Sequence, residues 1–161
     1  MQAFAQWLAS TPVSQGIQKA LWLIPILQAI HIMGIAMVLA AVAMVDLRIL
    51  GLAGRSQTMG ETARRFVPWL WTGLAVLATT GIVLVIGEPT RSLLNLAFQI
   101  KMALLACAVA VTLVFQASLR RNMPMWEDGR RNAVKVLAAF TFLVWCAIAV
   151  AGRWIAYVQV A

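Results

Sequence analysis

Four long stretches of the chain contain no charged side chain, and they alternate with shorter polar segments. The stretches cover residues 20–45, 66–87, 102–119 and 136–152. A helix needs about 20 residues to cross a bilayer, so each stretch is long enough once the residues at its ends are included. We therefore predict four membrane helices, over about 20–47, 66–87, 93–119 and 134–154.

Before the first of these helices, the apolar side chains Phe4, Trp7 and Leu8 recur at helical spacing. They share one face of a helix, so we predict a short helix over about residues 2–10 that lies on the membrane surface. The predicted fold is all-α. It is an integral membrane four-helix bundle with a short N-terminal interfacial helix, and it forms a single transmembrane domain over residues 1–161.

The composition supports a membrane protein and leaves little chain for a soluble domain. The 161 residues are 63% hydrophobic and only 11% charged, whereas soluble domains carry about 25% charged residues. A signal peptide is the alternative interpretation of the first stretch, because Ala41-Val42-Ala43 resembles a cleavage site. The apolar run before that site is about 20 residues, longer than the usual 7–15, which favours a membrane helix.

The net charge of +8 does not indicate nucleic-acid binding, because the basic residues are concentrated in two connections. Most of them lie between the first and second membrane helices or between the third and fourth: Arg48, Arg55, Arg64, Arg65, Arg120, Arg121, Arg130, Arg131 and Lys135. Cytoplasmic loops of membrane proteins carry such an excess of Arg and Lys. We therefore expect a multi-pass protein of the bacterial inner membrane with both termini in the periplasm.

Two ionisable residues lie within the predicted membrane helices, His31 in the first and Lys101 in the third. An ionisable group at this depth is expensive and is usually paired or functional. Gln28 and Gly34 lie three residues to either side of His31, on the same helix face. Gln28 can bond one ring nitrogen, and Gly34 leaves room for another backbone or a flat cofactor. The candidate roles of His31 are a structural histidine that is hydrogen-bonded across helices, a haem ligand, and a proton relay or metal ligand.

Lys101 is expected about 8 Å outward of the bilayer centre, counted at 1.5 Å per residue. One interpretation is that its ammonium group extends to the outer interface. The functional interpretation is that it neutralises a carboxylate, for example a haem propionate or an acidic group at a quinone site. Arg153, Arg91 and Glu88 belong to the same outer layer and would complete such a site.

Asp46 lies at the predicted inner end of the first membrane helix. An aspartate at a helix C-terminus opposes the helix dipole, so we expect a cation beside it. We predict a structural ion pair formed by Asp46, Arg48 and Arg64, with Arg65 and Lys135 as further candidate partners.

Sulfur-bearing side chains offer a different metal chemistry. Met33, Met37 and Met44 recur along the first helix, and two cysteines, Cys107 and Cys146, lie mid-helix. Soft sulfur ligands favour copper(I), so copper is the alternative cofactor. At 100° per residue, Met33 lies about 200° around the helix from His31. The two cannot share one site, and a methionine packing stripe is the better interpretation.

The order of these residues resembles a known pattern. His31 and Gly34 are followed by Asp46-Leu47-Arg48-Ile49-Leu50-Gly51, Pro68, Thr80-Gly81, and Phe98 with Lys101. This resembles a family of small uncharacterised bacterial membrane proteins with four to five helices. It also distantly resembles the CopD copper-resistance membrane domain and the HemJ-type protoporphyrinogen oxidases. The HemJ resemblance implies a b-type haem and a functional pair of a first-helix histidine and a third-helix lysine, which match His31 and Lys101.

The leading hypothesis is an inner-membrane b-type haem-binding redox protein that passes electrons between a quinone and a periplasmic partner. His31 would ligate the iron with Gln28 and Gly34 beside it, and Lys101 and Arg153 would hold the propionates. The alternative is a cofactor-free anchor or scaffold subunit, or a copper-handling membrane protein. A third hypothesis is a porphyrinogen oxidase-like enzyme. The expected partners are the lipid bilayer, a quinone, and further copies or subunits of a membrane complex, but no nucleic acid.

Overall fold

The computed structural model describes residues 2–54, 56–121 and 132–154, and every regular element in those ranges is an α-helix. The helices are α1 (Gln2–Ala9), α2 (Pro12–Lys19), α3 (Leu23–Ile49), α4 (Met59–Gly87), α5 (Pro89–Leu93), α6 (Leu96–Arg121) and α7 (Asn132–Trp154). The prediction of an all-α fold with four long apolar helices and a short N-terminal helix is confirmed.

Four helices are long and apolar enough to cross a membrane. The qualifying segments are Leu23–Ile49 in α3, Met59–Gly87 in α4, Leu96–Ser118 in α6 and Val134–Trp154 in α7. Apolar side chains such as Met33, Val114 and Leu143 are exposed on these helices, and an apolar exterior of this kind suits contact with lipid. We call the end of the bundle that carries α1, α2 and α5 the α1 end. The opposite end, where α3 leads into α4, is the loop end.

Capping residues place some helix ends where the apolar stretches do not predict them. α4 begins at Met59, ahead of the predicted start near residue 66, because Thr58 and Glu61 form a capping box. The Thr58 hydroxyl accepts the Glu61 N–H, and the Glu61 carboxylate accepts the Thr58 N–H. Thr11 caps α2 in a similar way by accepting the N–H of Ser14. The helices α2 and α5 are additions to the predicted elements, and both lie at the α1 end.

Helix α3 is central to the bundle, since it packs along α4 and against α7, and α7 packs in turn against α6. Glycines bring α3 and α4 close together. A Cβ placed on Gly34 would lie 3.0 Å from Leu77 Cδ2, and one on Gly73 would lie 2.6 Å from Val38 Cγ2. Small residues permit this close approach between membrane helices. The main apolar core is made of Val38, Ala41, Val42, Leu70, Ala108, Trp145 and Ile148.

The basic residues that favour a cytoplasmic loop end are only partly described. Arg55, Arg130 and Arg131 lie outside the described residues. Arg48, Arg64, Arg65 and Lys135 lie at the loop end, close to the end of α3, the start of α4 and the start of α7.

Candidate functional site

Two adjoining cavities open inside the half of the bundle nearest the α1 end. Their volumes are about 620 Å³ and about 550 Å³. His31, Gly81, Phe98 and Lys101 line both of them, so the cavities meet at these residues. The larger cavity is lined almost entirely by apolar side chains. The smaller one is more polar and is bordered also by Gln28, Glu88, Arg91, Ser92 and Arg153.

The hydrogen bonds of Thr80 determine which nitrogen of His31 carries the proton. The Thr80 hydroxyl oxygen lies 2.7 Å from His31 Nδ1 and 2.7 Å from the carbonyl oxygen of Val76. A hydroxyl has one hydrogen, and the carbonyl, which can only accept, takes it. The Thr80 oxygen therefore accepts a hydrogen bond from His31 Nδ1–H. In the neutral ring, Nε2 then carries a lone pair.

The position of the imidazole follows from α4. Thr80 is buried in this helix, and at the next residue a Cβ on Gly81 would lie 3.5 Å from His31 Cε1. Thr80 offers the ring a hydrogen-bond acceptor, and Gly81 leaves room for the ring because it has no side chain. Among the described residues, Nε2 has no hydrogen-bond partner, so this nitrogen is available to a ligand in the cavities.

Lys101 reaches the same space from α6. Its Nζ and Cε atoms lie 3.5 Å from the position of a Cβ on Gly152, so the absence of a side chain at Gly152 makes room for the lysine beside α7. Lys101 is half-buried and makes no hydrogen bond or ion pair with any described residue. The site thus contains a cation that the described protein does not neutralise.

The mouth of the smaller cavity carries further charges. Arg91 donates to the Glu88 carboxylate at 3.0 Å, which forms an ion pair between consecutive elements at the α1 end. Arg153 borders the cavity from the last turn of α7 and is exposed. Because Glu88 is already paired with Arg91, Lys101 and Arg153 are the cations left to meet an anionic ligand.

Two residues predicted to lie around His31 have different positions. Gly34 packs against Leu77 and Val76 of α4, so it makes room for a neighbouring helix, the first of its two expected roles. It does not line either cavity, and a place beside a cofactor stays a prediction. Gln28 borders the smaller cavity, but the ring nitrogen that it was expected to bond is held by Thr80. The hydroxyl takes this role because it lies directly opposite the ring on α4.

The bundle is open along one side of the larger cavity. Helices α4 and α6 pack little against each other, and both line this cavity over several turns, from Trp71 to Ile86 in α4 and from Phe98 to Val109 in α6. Phe4 and Leu8 of α1 border the cavity at the α1 end. A lipophilic molecule in the bilayer would meet this opening without having to cross the polar ends of the helices.

The predicted ion pair of Asp46 with Arg48 and Arg64 is wrong. The Asp46 carboxyl group faces Thr141 of α7, with both oxygens 3.1–3.2 Å from the hydroxyl. Arg48 instead donates from Nε to the carbonyl oxygen of Gln57 at 2.7 Å, which ties the connection between α3 and α4 to the helix end. Arg64 is exposed, and the ion pair within the described ranges is Glu88–Arg91.

The two cysteines do not belong to a cluster of metal-binding residues in the described part of the chain. Cys107 is exposed and Cys146 is half-buried, both as free thiols. No group of three or more His, Cys, Asp or Glu residues is close enough to hold a metal within the described ranges. Met33 is 71% exposed on α3.

The fold and the site define a multi-pass α-helical membrane protein with a histidine and a lysine at an internal cavity. The chain belongs to a family of unknown function, DUF6644, whose model matches residues 16–158. No curated protein and no solved structure matches the chain. The comparisons therefore give the resemblance to CopD and to the HemJ-type oxidases no support.

Proposed function

We propose that this protein is a b-type haem-binding redox protein of the bacterial inner membrane, in which His31 would hold the haem iron. The observation that carries the proposal is the hydrogen bond between His31 Nδ1–H and Thr80. Haem-ligating and metal-ligating histidines usually donate their other ring N–H to a fixed acceptor, which sets the tautomer and the orientation of the ring. Thr80 supplies such an acceptor inside an apolar bundle.

The size and polarity of the larger cavity support a flat, lipophilic cofactor. Its volume of about 620 Å³ lies within the range of about 300–1,000 Å³ that is typical of ligand pockets. The wall is apolar except near His31 and Lys101. Haem supplies a one-electron couple when bound, and its two carboxylates give it one acidic edge. An apolar wall with basic residues on one side suits such a molecule.

Lys101 and Arg153 would hold that acidic edge. A lysine at the bilayer centre costs about 2.5–3.5 kcal/mol on insertion scales, and the described protein offers Lys101 no counter-charge. Two carboxylates beside the ammonium group would offset most of this cost. Arg153 borders the adjoining polar cavity at the end of α7, where its guanidinium can form two parallel hydrogen bonds to a carboxylate.

The opening between α4 and α6 supports a quinone as the redox partner within the membrane. Quinones are lipophilic and move in the bilayer, so a quinone would reach the cavity between these two helices, which pack little against each other. A periplasmic partner follows from the orientation that the basic loops favour, since the α1 end, with Lys101 and Arg153, would then lie on the periplasmic side.

Haem content of the purified protein tests this proposal. We expect the wild type to retain haem in detergent, His31→Ala to lose it, and Lys101→Gln to retain it weakly. Met33→Ala, two residues along α3 and exposed on the outside, is the matched control for His31. Lys135→Gln, at the start of α7, is the control for Lys101. Both controls should keep the wild-type content.

A wild type without haem would contradict the proposal, as would His31→Ala with a full complement. The cofactor-free anchor or scaffold subunit would then replace it. Copper handling depends on the sequence pattern of sulfur-bearing residues alone. Porphyrinogen oxidation depends on the sequence resemblance alone.

A further inference from the structure

A second polar site lies in the other half of the bundle, towards the loop end. A small cavity of about 50 Å³ lies there between apolar side chains of α3, α4, α6 and α7. Four polar side chains also border it, namely Asp46, Thr112, Gln116 and Thr141. Asp46 is only 6% exposed and lies about 22 Å along α3 from His31, at 1.5 Å per residue. The site is therefore separate from the His31 cavities.

The Thr141 hydroxyl has only one hydrogen, and acceptors other than the Asp46 carboxyl group compete for it. The Thr141 hydroxyl lies 2.9 Å from the carbonyl oxygen of Ala138, 3.1 Å from that of Leu137 and 3.1–3.2 Å from both Asp46 oxygens. It has one hydrogen to donate, and the closest acceptor is the carbonyl of its own helix. When Thr141 donates to the Ala138 carbonyl, its oxygen can only accept from Asp46. The Asp46 carboxyl group then needs a proton of its own to form this hydrogen bond.

None of the described side chains that line this cavity carries a positive charge. The side chain of Arg120 lies outside the described ones. The other basic residues at this end of the surrounding helices are Arg48 of α3, Arg64 and Arg65 of α4, Arg121 of α6 and Lys135 of α7. None of these lines the cavity. Arg48 bonds the Gln57 carbonyl, Arg65 lies over the Phe66 ring, and Arg64 and Arg121 are exposed. An unpaired carboxylate buried in an apolar bundle is costly, so the neutral acid is the favoured form.

Gln116 contributes an amide group to the wall of the cavity. Its Oε1 accepts the indole N–H of Trp71 at 3.3 Å, and because an indole can only donate, the orientation of the amide is fixed. Nε2 must then face the other way. It is buried and has no hydrogen-bond partner among the described residues. A buried N–H₂ group requires an acceptor, and a water molecule in the cavity would provide one.

We propose that Asp46, Thr141 and Gln116 form a hydrated proton-binding site, with the proton on the Asp46 carboxyl and water between that group and Gln116 Nε2. A volume of about 50 Å³ exceeds the roughly 10–15 Å³ that one water needs in this measure. A donor amide facing inward favours water over a metal cation as the occupant. In the resting site the acid donates its proton to an oxygen acceptor. On exchange it releases the proton to the water as hydronium and regains it from there.

The location of this site links it to the rest of the molecule. Trp71 lines the larger cavity while it bonds Gln116, and Trp145 borders both the small and the larger cavity. The two tryptophans therefore form the partition between the proton-binding site and the His31–Lys101 space. The proton-binding site requires no cofactor in that space. The proposal of this site can therefore be tested independently of haem binding.

Infrared spectroscopy of the purified protein in H₂O and D₂O tests the proposal. At neutral pH we expect the carbonyl stretch of a protonated carboxylic acid, shifted in D₂O because the proton exchanges through bound water. The band should disappear in Asp46→Asn and persist in Glu61→Gln, whose carboxylate is exposed at the start of α4. The chain has only five Asp and Glu residues, which makes the assignment tractable.

A wild type with no protonated-acid band at neutral pH would overturn the proposal, and so would a band that persists in Asp46→Asn. Gln116→Leu tests the hydration and does not alter the acid itself. We expect this variant to shift the band to higher frequency and to slow its deuterium exchange, because the water loses its amide partner. An unchanged band and an unchanged exchange rate in Gln116→Leu would overturn the hydrated site.

Discussion

Thr80 is the residue that orients the His31 ring across the α3–α4 interface. The other described threonines of α4 and α6 donate to the carbonyl four residues back: Thr62, Thr72, Thr79 and Thr112. Thr80 does the same but also accepts from His31 across the helix interface. The sequence alone cannot single it out, because the local bond is common to all five and only the packing of α3 on α4 adds the second.

Thr80→Val removes the acceptor of His31 Nδ1–H while keeping a β-branched side chain of similar size. Loss of such a partner typically lowers metal affinity about 10–100-fold, so we expect haem affinity to fall by a factor in that range. Thr79→Val is the matched control, since Thr79 is exposed and bonds only its own helix. Haem titration of the apoprotein measures both. Equal affinity in the two variants would mean that Thr80 does not orient the ligand.

Asp46 illustrates a limit of sequence interpretation at the residue scale. Four basic residues lie near it along the chain or in the adjoining helix starts, which favoured an ion pair. The structure pairs it instead with Thr141, a residue 95 positions away. Arg48 can reach the Gln57 carbonyl and water at the helix end, whereas the Asp46 side chain points into the bundle. Which way a side chain faces at a helix end depends on packing that a charge pattern does not encode.

At the scale of the elements, the apolar stretches predicted the four long helices because their length is imposed by the thickness of the bilayer. The helix ends depend on capping side chains instead. The capping box of Thr58 and Glu61 extends α4 well beyond the apolar stretch, and its Thr-x-x-Glu spacing is visible in the sequence. α2 and α5 each begin at a proline. They are too short and too mixed in polarity to give a periodic signal.

The α3–α4 interface gives a prediction about stability. A Cβ on Gly73 would lie 2.6 Å from Val38 Cγ2, and Val38 is buried in the core with no room to move. We expect Gly73→Ala to destabilise the fold by about 1–3 kcal/mol, the usual cost of overpacking. The helical preference of alanine over glycine acts in the opposite direction.

Gly16→Ala in α2 is the matched control, because nothing lies within 4 Å of its Cβ position. This variant should be neutral or slightly stabilising, by up to about 1 kcal/mol. Thermal unfolding in one detergent measures both variants. If Gly73→Ala unfolds at the wild-type temperature or above it, the close α3–α4 contact is not present in the protein.

At the scale of the whole molecule, the orientation in the membrane determines which compartment the His31–Lys101 site faces. The basic residues at the loop end predict that this end is cytoplasmic. A reporter that is active only in the cytoplasm should therefore be active when fused after Gln57 and silent when fused at Ala161. The reverse pattern would place Lys101 and Arg153 on the cytoplasmic side and would remove the argument for a periplasmic partner.

The two polar sites divide the bundle into halves with different chemistry. The half at the α1 end has a histidine, a lysine without an ion pair among the described residues, and a large cavity lined by α4 and α6. The half at the loop end has a small cavity with a buried acid and an amide. The sequence located His31 and Lys101 because each is an ionisable residue in an apolar stretch. It could not locate the cavities, which arise from helix packing.

The central claim is that His31 Nε2 ligates a haem iron, and chemical rescue tests it most directly. The absorption spectrum is recorded for wild type and for His31→Gly, each purified from haem-replete cells with and without imidazole. We predict a Soret band in wild type, its loss in His31→Gly, and its return when imidazole occupies the space left by the side chain. A wild type without a Soret band, or a His31→Gly protein with the full band in the absence of imidazole, would contradict the claim.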